Sequence, residues 1–265
     1  MGCACPLAGR ESRNLVSVKR EPSEAWVGVM ENLLKGSSEL NQMFAALIRT
    51  ATGLRRDFGE VEQLQQSLSG ARDFVAKAQQ RIEQMILSDL QLVRPAAGVL
   101  TPNVSTDGDG ISEFVLALSG AENFIRGNEH FAISLALRVN GETRAALIYA
   151  PIDDKLFYAE KDSGTYIYSA FHSTKMRVSK LSNPSDLTIG YSALGSRLSA
   201  LGTARITGCP ALDLASVATG KFDAFVSEPI DYAELAAGEL MVTESGGKIW
   251  EHDGQLFVTN GIVDL

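Results

Sequence analysis

Apolar residues recur at helical spacing through the first third of the chain and in short strand-like runs thereafter. Trp26, Val27, Met30, Leu33 and Leu34 follow Pro22-Ser23-Glu24 and predict a short amphipathic helix, broken by Gly36-Ser37-Ser38. Leu40, Met43, Phe44, Leu47, Ile48 and Ala51 mark one face of a second helix, whose polar end reads Leu54-Arg-Arg-Asp-Phe-Gly-Glu60. A third helix starts near Gly70, carries Phe74, Val75, Ala78, Ile82, Met85, Ile86 and Leu90 on its inner face, and stops at Pro95.

Residues 96–112 are rich in Gly, Pro, Ser, Thr and Asp and read as a loop. Short apolar runs follow: Phe114 to Leu118, Phe131 to Val139, Arg144 to Tyr149, Leu156 to Ala159 and Thr165 to Tyr168. Asn140-Gly141 between two of them is a hairpin turn, because both turn positions need positive φ and these residues tolerate it. The last third alternates: a strand near 187–192, a helix near 210–219, a strand at 222–226, a helix near 231–245 and short terminal strands. There is no internal repeat and no low-complexity tract.

The chain has 265 residues, 45% hydrophobic and 21% charged, the profile of an ordinary globular protein with a sizeable core. A net charge of -8 argues against a general nucleic-acid binder. Cys3, Cys5 and Cys209 are too few and too scattered for a disulfide framework or a zinc site. No apolar run approaches the length of a membrane span. Arg10, Arg13, Lys19 and Arg20 against Glu11 suit an organellar transit peptide or a plain basic tail. Pro6 departs from the myristoylation pattern.

Three stretches carry a resemblance. The first runs Gly127-Asn-Glu-His-Phe-Ala-Ile-Ser-Leu-Ala-Leu, then Asn140-Gly141, Leu147-Ile-Tyr-Ala-Pro151, Leu156-Phe-Tyr-Ala-Glu160 and Gly164. The second is Ala211-Leu-Asp-Leu-Ala-Ser-Val-Ala-Thr-Gly-Lys-Phe-Asp-Ala-Phe225, and the third is Leu235-Ala-Ala-Gly238 with Val242-Thr-Glu-Ser-Gly-Gly247. Together they resemble the inositol monophosphatase family over about residues 38–260, and Arg55-Arg-Asp-Phe-Gly-Glu60 looks most like its bacterial members. The resemblance implies an α/β (α+β) fold: an α-β-α-β-α layered sandwich with two tightly joined halves meeting near 180–186, preceded by an extension at 1–37. It also implies Mg²⁺ ions held by carboxylates that bind phosphate and activate a water.

The positions the resemblance assigns to the metals read differently here. Where the family has D-P-[IL]-D-G-T-T, the chain has Leu116-Ala-Leu-Ser-Gly-Ala-Glu122, with Asn123-Phe124 fixing the register. Leu116 and Ser119 replace two carboxylates, and Ala121 replaces a threonine that orients water. Thr101-Pro102-Asn103 stands at the Gly-Glu-Glu segment, so Asn103 fills a glutamate position. In the W-D-x-A-A-G segment the chain has Ala233-Glu234-Leu235-Ala236-Ala237-Gly238, and Glu234 is the surviving carboxylate. Cys209-Pro210 replaces small polar residues at the helix N-terminus that would hold phosphate, and Ser227 stands beside Glu228 where a substrate-contacting acid often lies.

A relocated metal site at Asp107, Asp109, Glu113 and Glu122 is the alternative, although Asp-Gly-Asp-Gly is more often a solvated turn. His130, His172 and His252 form no recognisable catalytic spacing, and Cys209 before a helix is either a lowered-pKa thiol or a buried apolar residue. With its carboxylates replaced, the resemblance implies a catalytically inactive subunit of a protein assembly, without cofactor or metal. Its partners would be other protein subunits or a second copy, with Trp26, Val27, Met30, Leu33 and Leu34 as the contact face. A phosphatase of inositol or sugar phosphates with weak or altered metal use is the alternative, and a phosphometabolite sensor the next. The likeness to bacterial members plus the basic extension suits a bacterial protein or a mitochondrial one of bacterial descent, the latter favoured.

Overall fold

A computed structural model describes residues 34–63, 67–169, 172–192 and 202–265. Two long helices open it: α1 (Ser38–Gln63) and α2 (Leu68–Val93). The Ser67 side chain caps α2 by accepting from the Gly70 N–H at 3.3 Å. The apolar stripes expected of both helices are buried together except for Met85, which is exposed, and the buried Asp57 of α1 is paired with Arg81 of α2.

These helices cover one face of an eight-stranded sheet. Its order is β2 (Ser105–Thr106), β1 (Gly98–Leu100), β3 (Ser112–Ser119), β4 (Ala132–Val139), β5 (Glu142–Ala150), β6 (Lys155–Glu160), β7 (Gly164–Ser169) and β8 (His172–Met176). All neighbours are antiparallel except β1 and β3. Asn140 and Gly141, at φ 54° and 78°, make the β4–β5 turn as the sequence requires. A short helix α3 (Ala121–Ile125) leaves the end of β3.

Strand alternation sorts the residues of β3 between two cores. Phe114, Leu116 and Leu118 join the core under α1 and α2, and Val115 and Ala117 join the one on the other side. That second core is filled by α4 (Pro210–Ala218) and α5 (Tyr232–Ser245). Small residues let α5 approach closely: Ala117, Ala136 and Ala146 on the sheet belong with Ala233, Ala236 and Ala237 to one cluster. A Cβ on Gly238 would sit 2.4 Å from Leu214 Cδ1 and 2.6 Å from its Cβ.

Beyond these helices lies a five-stranded sheet ordered β10 (Thr203–Arg205), β9 (Thr188–Tyr191), β11 (Ala224–Ser227), β13 (Gln255–Thr259) and β12 (Lys248–His252). Phe225, Leu256 and Val258 face α4 and α5, whereas Ile189, Ala224, Val226 and Phe257 form a third cluster on the far face. The layers therefore run helix, sheet, helix, sheet, and among the described residues no α-helix covers the outermost face. No described helix is long and apolar enough to cross a membrane.

Two expectations change. Leu34 is a buried bend residue of the main core, with its N–H donated to the Asn41 side chain at 3.0 Å, so it is not part of an exposed contact face. Apolar burial in its own domain outcompetes any partner at this position. The rest of that face, Trp26, Val27, Met30 and Leu33, lies outside the described residues. The stretch 96–112 also holds two short strands, because Val99-Leu100 finds a parallel partner in β3.

Candidate functional site

The end of β3, the start of α4 and the start of α5 meet at one point. Gly120 turns the chain out of β3 at φ 82°, and a Cβ there would sit 3.0 Å from the His130 carbonyl and 3.1 Å from Cys209 Cβ. Asn123 of α3 fastens the neighbouring loops, donating to the carbonyls of His130 and Thr207 at 2.8 Å each. At the other side Asp231 caps α5 by accepting from Ala233 N–H at 2.8 Å, which sets Glu234 in the first helical turn.

Ser119 lies at the centre and is fully buried. Its hydroxyl donates to Glu234 Oε2 at 2.6 Å and accepts from the Ala211 N–H at 3.2 Å. The Cys209 thiol lies 3.5 Å from the Ser119 carbonyl and 3.6 Å from its Oγ. The hydroxyl's proton and one lone pair are thus engaged, and the thiol's single proton is shared between the Ser119 carbonyl and the same hydroxyl. Glu234 is half-buried, and burial raises its pKa although the Ser119 hydrogen bond opposes the shift. Among the described residues its Oε1 has no hydrogen-bond partner.

The N-terminus of α4 is occupied by its own neighbours. Pro210 has no N–H, the Ala211 N–H goes to Ser119, and the Cys209 N–H goes to Thr207 Oγ1 at 3.2 Å. Thr207 Oγ1 in turn donates to the Asp213 carboxylate, 2.8 Å from each oxygen. Burial pushes the Asp213 carboxyl up to about 7 and the Cys209 thiol up to about 12, so Cys209 is no thiolate nucleophile.

The sequence-predicted positions do not converge. Ser119 and Glu234 touch, but Leu116 lies three residues before Ser119 on a strand and faces the α1–α2 core. Ala121 begins α3, and Asn103 is exposed in the loop after β1 with its N–H bonded to Thr101 Oγ1 at 3.2 Å. The acidic alternative disperses as well. Asp109 accepts from the N–H groups of Ser112 and Ile111, which lower its pKa; Glu113 pairs with Arg138 at 2.9 Å and Glu122 with Arg72 at 3.4 Å. His130 is half-buried with its pKa lowered by burial, and His252 is exposed on β12 beside Asp253. Sequence reading missed the neighbours of Ser119, since Ala211 and Cys209 reach it only across the fold.

The metals that the resemblance implies make a definite demand on this donor set. Mg²⁺ takes oxygen ligands in near-octahedral geometry, and a pair of ions needs several fixed carboxylates. Among the described residues no three His, Cys, Asp or Glu side chains are grouped so as to hold a metal. The residues present do not fit the metal pair that the resemblance implies. A separate cavity of about 260 Å³ lies at the opposite end of α5, lined in part by Asp162, Lys175, Arg177 and Glu244.

Alternating layers of helices and sheets, with the N-termini of α4 and α5 meeting at the end of β3, define a mixed α+β layered fold. The chain belongs to the inositol monophosphatase family, whose pattern it matches over residues 30–264. It is 33% identical over 236 residues to an inositol-1-monophosphatase of Rhizobium meliloti, covering 83% of this chain and 86% of that protein. A Caulobacter vibrioides protein of the same name is 35% identical over 225 residues, 78% of this chain and 87% of the other. The crystal structure of extragenic suppressor protein suhB from Bartonella henselae superimposes with a TM-score of 0.76 at 31% identity, covering 85% of this chain and 95% of that one.

These findings correct two expectations. Relatives aligned over most of their length are named for a phosphatase activity, which overturns the reading as an inactive, non-enzymatic subunit. The relatives are bacterial, so the preference for a mitochondrial protein finds no support.

Proposed function

We propose that this protein is a phosphomonoesterase of inositol or sugar monophosphates whose metal use is altered from the family's. The observation that carries the proposal is Glu234, a half-buried carboxylate with one oxygen free among the described residues, at the α4–α5 junction of a chain aligned with named inositol-1-monophosphatases. The alteration is the replacement of the other assigned positions by Leu116, Ser119, Ala121 and Asn103.

Glu234 is the group able to move a proton here. Burial raises its pKa toward the working range of a general acid or base, and the Ser119 hydroxyl fixes Oε2 so that Oε1 points free. A carboxylate so held can accept a proton from an attacking water or return one to the leaving alcohol. Removing it leaves no other carboxyl bonded to Ser119. The cradle formed by Gly120, Ala211 and the Asp231-capped turn excludes bulk water from the Ser119 side.

The test is release of inorganic phosphate from inositol 1-phosphate and from hexose monophosphates, with Mg²⁺ in one arm and chelator in the other. The wild type should release phosphate above a buffer blank, and Glu234→Gln should lose roughly 10²-fold or more of that rate. A wild-type rate equal to the blank in both arms, for every substrate, would remove the proposal.

A further inference from the structure

We propose that the free protein holds no resident pair of divalent cations at the junction of β3, α4 and α5, and that the Ser119 hydroxyl joins the three elements instead. Four observations carry this. Ser119 Oγ lies 2.6 Å from Glu234 of α5 and 3.2 Å from Ala211 N of α4, so one buried hydroxyl on β3 reaches both helices. Its proton and one lone pair are in use, and the Cys209 thiol closes off its remaining side at 3.6 Å. An ion at Glu234 is left with Oε1, because Oε2 accepts the Ser119 proton and moving that hydroxyl would leave the buried Ala211 N–H without its acceptor.

The other carboxylates nearby are committed. Asp231 gives one oxygen, Oδ1, to Ala233 N–H as the cap of α5, and both oxygens of Asp213 are 2.8 Å from Thr207 Oγ1. Leu116 faces away into the α1–α2 core, so restoring a carboxylate there would bury charge among apolar residues and not aim it at Glu234. A pair of dications facing only Glu234 and the second oxygen of Asp231 would be far from charge balance. The neutral hydroxyl makes the same three-way connection without that demand.

The inference goes beyond the proposed activity and fails separately from it. The measurement is Mn²⁺ binding to the full chain without substrate, read from the loss of the free-ion paramagnetic resonance signal, alongside thermal unfolding in Mg²⁺ and in chelator. The expected result is no saturable Mn²⁺ site at millimolar metal and the same Tm in both buffers. Ser119→Ala should lower Tm by roughly 3–6 °C in both alike. Saturable Mn²⁺ binding that is lost in Glu234→Gln, or a wild-type Tm raised by Mg²⁺, would overturn the inference while leaving phosphate release untouched. An unchanged Tm in Ser119→Ala would overturn the joining role. Should Ser119→Ala fail to fold, the wild-type titration and the Mg²⁺ comparison still decide.

Discussion

Helix α5 is tied to the large sheet at both ends by a glutamate, and the two ends are built differently. At its C-terminal end Glu244 accepts from the N–H groups of Asp162 and Gly164, at 2.9 Å each, and so clamps the β6–β7 turn. Both of its oxygens are used, and Thr165 Oγ1 adds a bond to the Met241 carbonyl at 2.6 Å. At the N-terminal end Glu234 takes one hydrogen bond, from Ser119, and keeps an oxygen free among the described residues. The first glutamate is a fastener whose valence is filled by backbone; the second is held by one oxygen and available at the other. Identical side chains on one helix thus divide into structure and chemistry according to how completely their lone pairs are taken.

The largest separation between the ends should appear in activity. Glu234→Gln should cost roughly 10²-fold or more in phosphate release, whereas Glu244→Gln should change it by less than about twofold. Equal losses in both variants would erase the distinction.

A second separation concerns pH. Asp213, beside the N-terminal end, has a folded-state pKa raised to about 7 by burial. Between the ordinary carboxyl pKa and that value the folded state keeps a proton that the unfolded chain has released, so this group's contribution to stability falls as pH rises through that window. Asp213→Asn should therefore gain stability over the wild type as pH rises from about 4 to 7, by on the order of a few kcal/mol at most. Urea unfolding of both proteins across that range measures it, and a constant difference would contradict the assignment.

Gly238 lies between the two ends, where a Cβ would run into Leu214. Gly238→Ala should lower unfolding free energy by about 1–3 kcal/mol, because Leu214 is itself buried and has little room to yield. The smallest effect belongs to the clamp: Glu244→Gln keeps one acceptor oxygen and should cost about 1 kcal/mol by denaturant unfolding.

Much of the fold was legible in the sequence because its signals are local. The apolar faces of α1 and α2 repeat at helical spacing, and Asn140-Gly141 announces the β4–β5 hairpin through its positive φ values. The short strands β1, β2, β8 and β10 were not, since such segments become strands only by finding a neighbour. The site was half legible. Glu234 stands out by its motif, but the same kind of motif match sets Leu116 and Ser119 as two positions of one site. Three residues apart on a regular strand they face opposite cores, which the two-residue period could have warned of. The Ser119 bonds to Ala211 and Glu234 span 92 and 115 residues of chain, and no local pattern encodes contacts at that range.

The phosphomonoester hydrolysis proposed for the Glu234 end of α5 is measured most directly as phosphate release from inositol 1-phosphate by the purified wild-type chain as substrate concentration is raised. Saturable release above the buffer blank is the predicted result. A rate that stays at the blank at every concentration, in a protein shown to be folded by its cooperative thermal transition, would contradict it.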